Sequence, residues 1–69
     1  MTEEELKALL LVEGFELHVY PTATDPDALW MVDFNDMHGR RKIPANSTNN
    51  TREEAVQQAV GYYKLGPLR

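Results

Sequence analysis

No cysteine occurs anywhere in the chain, so neither a disulfide framework nor a Cys-ligated zinc site is available to it. Small secreted domains commonly offset a thin core with disulfides, and their absence points to a reducing, cytoplasmic setting. Serine is nearly as scarce: Ser47 stands alone, in an Asn/Thr-rich stretch with none of the context of a nucleophile elbow. The four glycines, Gly14, Gly39, Gly61 and Gly66, are scattered, which excludes a Gly-rich phosphate loop. The two histidines, His18 and His38, have no further ligands around them at metal spacing. Carboxylate pairs such as Asp25 with Asp27 and Asp33 with Asp36 read as turn chemistry rather than as general acid and base. No catalytic residue, no metal site and no cofactor are expected.

Long apolar runs are missing too. The stretch Ala8 to Val12 is far too short for a membrane span, and the N-terminus begins with acids instead of a basic leader segment. No export signal and no membrane partner are therefore expected. In that setting the sequons Asn46-Ser47-Thr48 and Asn49-Asn50-Thr51 are incidental features of a polar loop. Positive charge is in deficit as well, with 11 Asp and Glu against seven Lys and Arg and a net charge of -4. A field of that sign disfavours sequence-independent contact with nucleic acid or an anionic membrane and suits a protein partner with a basic groove.

With 69 residues the chain fits a single domain, and a domain of this size buries only about 60% of its unfolded surface. Its elements follow from local chemistry. Thr2 and Glu5 form a capping box, Leu6, Leu9 and Leu10 recur at helical spacing, and Glu3 to Glu5 complement the helix dipole. A helix over 3–12 is predicted, ended by Gly14 in a left-handed conformation. The period then changes to two: Phe15, Leu17 and Val19 alternate with Glu16, His18 and Tyr20 until Pro21, which predicts a half-buried strand.

A turn-rich segment around Asp25-Pro26-Asp27 leads to a second strand over 29–34. Trp30, Val32 and Phe34 share one of its faces and Leu29, Met31 and Asp33 the other, which suggests the central strand. Asn35, Asp36, His38 and Gly39 read as a turn, and 40–44 as a short edge strand closed by Pro44. Thr51 to Glu54 form a second capping box, and Ala55, Val56, Ala59, Val60 and Tyr63 make the apolar stripe of a helix reaching about residue 64. Gly66 and Pro67 mark its end. The expectation is a single small α+β domain, 1–69, of α-β-β-β-α order, with a three-stranded antiparallel sheet and both helices packed on one face.

The α-β-β-β-α order is similar to that of the double-stranded-RNA-binding domain, whose second helix opens on lysines; here that start reads Arg52-Glu53-Glu54, and the phosphate clamp is missing. The run Gly39-Arg40-Arg41-Lys42 followed by Thr51, Glu54 and Ala55 resembles the arm-binding domains of phage integrases, which implies a sheet laid in a DNA groove. The β-β-β-α run with Thr51, Glu53, Glu54 and Ala55 opening the last helix also resembles HicB-type antitoxin domains, which implies a small toxin protein as partner. These resemblances span about half of the chain.

The leading expectation is a small non-enzymatic interaction protein of bacterial or phage origin that binds and regulates or inhibits a protein partner through an uncovered sheet face and an acidic surface. Tyr20, Leu29, Met31 and Asp33 are the candidate partner-binding residues. The alternative is a nucleic-acid-binding module that uses a basic hairpin, Arg40, Arg41 and Lys42, with Arg52. Basic residues also blunt exposed edge strands. A homodimer pairing through the open sheet face fits the same pattern.

Overall fold

A computed structural model describes residues 1–38, 42–45 and 49–66; of Lys42 it describes the backbone. Its elements run α1 (Glu3–Val12), β1 (Phe15–Pro21), β2 (Trp30–Asp36), β3 (Lys42–Pro44) and α2 (Arg52–Lys64). The strands form one antiparallel sheet in the order β1-β2-β3. The α+β class and the α-β-β-β-α order are as the periodicities predict.

Both helices start where a threonine satisfies an otherwise orphaned N–H. The Thr2 hydroxyl accepts from the Glu5 N–H at 3.2 Å, and the Glu5 carboxylate accepts in return from the Thr2 N–H at 3.3 Å. At the second helix the Thr51 hydroxyl accepts from the Glu54 N–H at 3.1 Å and itself donates to the Glu54 carboxylate at 3.0 Å. Gly14, with φ of +89°, and Gly66, with φ of +80°, sit beyond the two helices in the left-handed region that residues with a Cβ avoid.

The register sets the two faces of the sheet. Leu17 lies opposite Phe34, Val19 opposite Val32, and Phe34 opposite Ile43. These residues with Phe15 form the face on which the core is built. Leu6 and Leu10 of α1 and Ala55, Ala59 and Val60 of α2 pack onto that face, while Trp30, Tyr62 and Tyr63 flank it. Two alanines on the sheet-facing side of α2, both fully buried, let its backbone approach the strands closely. Phe34 is the hub, with ring centroids 6.0 Å from Tyr62 and 6.3 Å from an edge-on Tyr63.

The helices run side by side in the same direction, as two contacts between residues remote in sequence show. Arg52, at the start of α2, donates two hydrogen bonds to the Glu3 carboxylate at the start of α1, at 2.5 and 2.8 Å. Near the other ends, the Tyr63 hydroxyl donates to Glu13 at 3.1 Å.

Two points differ from the sequence reading, the bounds of the second strand and the burial along α1. The second strand starts one residue later and ends two residues later than the sequence reading, because Asn35 and Asp36 pair with Glu16 and Phe15; a backbone ladder overrides their preference for turns. Leu29 consequently lies just before β2, its carbonyl accepting from the Thr22 N–H at 2.7 Å. The third strand is described from Lys42; Gly39, Arg40 and Arg41, expected in the turn and strand there, lie outside the described residues. In α1, Leu6 and Leu10 are fully buried whereas Leu9 is 41% exposed, since two rows of a short helix cannot both face one sheet.

The Glu3–Arg52 pair gives a pH-dependent term of known sign. The guanidinium's hydrogen bonds, aided by its charge, hold the Glu3 carboxyl below its ordinary value of 4.5. Stability from this pair is present above the unfolded carboxyl's value and is lost as pH falls through the lowered folded one. Both side chains are partly exposed, so Glu3→Gln is expected to cost about 0.5–1 kcal/mol at neutral pH. Urea unfolding followed by circular dichroism should show the difference from wild type vanishing in acid.

Candidate functional site

With the helices on one face, the alternate positions of each strand form the other. Across that face the register aligns Tyr20 with Met31, His18 with Asp33 and Pro44, and Glu16 with Asn35 and Lys42. Side chains on the same face of neighbouring strands stand about 4.5–5.5 Å apart at Cβ. Tyr20 and Met31 are therefore neighbours, both half-buried. Leu29, 38% exposed, continues the row at the same end. Three of the four expected contact residues thus form a contiguous patch on the side away from the helices.

The fourth, Asp33, behaves differently from the open surface carboxylate that an uncovered face implies: it is only 2% exposed. It stands on the central strand, flanked by His18 on one side and Pro44 on the other, and the Tyr20 hydroxyl donates a 2.6 Å hydrogen bond to its Oδ2. Asp33 therefore acts through Tyr20, holding that ring on the face; it offers little surface of its own. The hydrogen bond to Asp33, with some desolvation, pushes the Tyr20 phenol above its ordinary value of 10.0. The link runs diagonally between strands and leaves no trace in either strand's alternation.

The rim of the patch is acidic. The connection from β1 to β2 is folded around Asp25, whose side chain accepts from the Asp27 N–H at 3.1 Å and whose carbonyl accepts from the Ala28 N–H at 3.1 Å. Both aspartates stay exposed next to Leu29. At the other end of β1, Glu16 and His18 sit on the same face with Oε2 and Nε2 3.0 Å apart.

The basic group is divided. Arg52 opens α2 on the helix side, with its guanidinium committed to Glu3, so it does not join β3 across the sheet. Lys42 lies opposite Asn35 in register, and Arg40 and Arg41 fall outside the described residues. Between the helix starts lies a shallow cleft of about 400 Å³, touched by Met1, Glu3, Arg52 and Val56; its one guanidinium is already neutralised.

Among the described residues no group of three or more His, Cys, Asp or Glu is arranged to hold a metal ion, and no helix is long and apolar enough to cross a membrane. What fold and surface define is a small α+β domain with one sheet face sealed by two parallel helices and the other, among the described residues, covered by no helix around a tyrosine and a methionine. No protein-family model, curated protein or solved structure matches the chain.

Proposed function

We propose that this chain is a non-enzymatic, cytoplasmic interaction protein that binds a protein partner through the open sheet face and regulates or inhibits it. The observation that carries the reading is the Tyr20–Met31–Leu29 patch, in which the tyrosine is fixed in advance by its hydrogen bond to buried Asp33. Aromatic residues and methionine are enriched at the centres of protein interfaces, and a ring already held in place loses less freedom on binding. The acidic rim at Asp25 and Asp27 favours a partner with basic residues around an apolar depression. Obstruction of that depression is the simplest mechanism of inhibition.

A photo-crosslinking residue at position 31, with position 12 on α1 as the control, tests this in host lysate. Position 31 should capture one protein in stoichiometric amount and position 12 should not. With the captured protein purified, Met31→Lys should weaken binding at least about tenfold, the loss expected of a central anchor. Capture at neither position, with tight binding to purified DNA or RNA that falls in Arg40→Ala and Lys42→Ala, would instead establish the basic hairpin as the functional surface.

A further inference from the structure

β1 is an edge strand, and among the described residues no strand lies along its outer edge. Gly14 accepts from Met37 and Thr22 donates to Leu29, so the register directs the backbone groups of Glu16, His18 and Tyr20 toward β2. Those of Leu17 and Val19 point the other way, and among the described residues no strand meets them. The usual protections of an edge, a lysine or a mid-strand proline, are absent from this strand, where Pro21 stands only at the end. Along the same edge runs a groove of about 340 Å³ touched by Lys7 and Leu11 of α1 and by Glu16, Leu17 and His18 of β1. Glu16 and His18 belong to one face and Leu17 to the other, which locates the groove at the strand's rim. Leu11 is 46% exposed there.

We infer that this edge pairs with the same edge of a second copy, antiparallel and centred on Leu17. Only residues whose backbone groups point outward can face each other as hydrogen-bonded pairs, so the two-fold axis has few possible positions. With the axis at Leu17, each Glu16 stands opposite the partner's His18, twice, on the open face. The complementarity is written in the strand itself: an acid and an imidazole two residues apart, already 3.0 Å from each other within one chain. Each has a further hydrogen-bonding atom with which to meet the partner's. Among the described side chains, Lys7 from α1 and Asp33 from β2 are the other charged groups near this pair. On the helix side, Leu11 and Leu17 of the two copies cover each other's groove. The result is a six-stranded sheet whose open faces join, leaving Tyr20 and Met31 free for a separate partner.

Two charge variants on the exposed face test the pairing without touching the core. Glu16→Lys and His18→Glu each place unfavourable pairs in their own homodimers, and each should raise the dimer dissociation constant about tenfold. Mixed one to one, they should form a heterodimer, because lysine then meets glutamate and the native Glu16–His18 pair is kept. Native mass spectrometry and sedimentation equilibrium read this. Exchange of the Leu17 amide in the wild-type chain should slow between about 20 µM and 1 mM protein as the dimer fills. A chain that stays monomeric across that range overturns the inference, as does a dimer that leaves Leu17 exchange unchanged or a mixture no more dimeric than its components. Met31→Lys should leave dimerisation intact, which separates this result from that of the sheet-face reading.

Discussion

Phe34→Ala is expected to remove about 3–5 kcal/mol of stability, the cost of deleting a large buried side chain from a core that cannot close over the space. Phe34 is fully buried on the central strand, between Leu17 and Ile43 across the sheet and beneath the rings of Tyr62 and Tyr63. A domain of 69 residues is expected to have about 3–10 kcal/mol in total. The substitution should therefore leave a large part of the population unfolded at 25 °C, and circular dichroism against urea will show whether a folded baseline survives. Phe34→Leu keeps most of the volume and should retain a cooperative transition, with a loss nearer 1–2 kcal/mol, roughly the range for volume-conserving core changes. If the alanine variant unfolds at the wild-type midpoint, the core is not organised around this ring.

Tyr20→Phe is expected to cost about 1.5–3 kcal/mol, the range for a hydrogen bond to a charged group whose loss leaves a buried acceptor with one partner fewer. The donor here is a phenol 2.6 Å from a carboxylate that is only 2% exposed. A double-mutant cycle with Asp33→Asn isolates the coupling. The pH dependence supplies a second signature. Because the folded phenol is raised above 10.0, its contribution is complete below that value and is lost as pH rises through the higher folded one. The gap between wild type and Tyr20→Phe should thus be constant from pH 7 to about 9 and narrow above about 10. A gap that stays constant into alkali would mean that the hydroxyl does not bond to Asp33 in solution.

These predictions concern the two faces of the sheet, and their legibility in the sequence differs. Val32 and Phe34 read as core residues because alternation puts them with Phe15, Leu17 and Val19 once one face is known to be covered. Asp33 read as an exposed acid for the same reason, and its burial could not be foreseen. Alternation assigns a face but says nothing about what a neighbouring strand lays across it. Arg52 shows the same limit. As a cation at a helix start it groups in the sequence with Arg40 to Lys42, yet it is bound by Glu3, 49 positions earlier in the chain.

What the sequence determined by itself was local. Threonine caps, the left-handed Gly14 and Gly66 and the periods of two and 3.6 residues set the helices and the element order, since each rests on sterics or hydrogen bonds within a few residues. Tertiary structure alone decided the register of Phe15 against Asp36, the parallel course of the helices, the hold of Asp33 on Tyr20 and the place of β1 at the edge of the sheet. Each of these is a contact, or a missing contact, between segments far apart in the chain. Such contacts depend on how the covered face closes over its core, which no short stretch of sequence encodes.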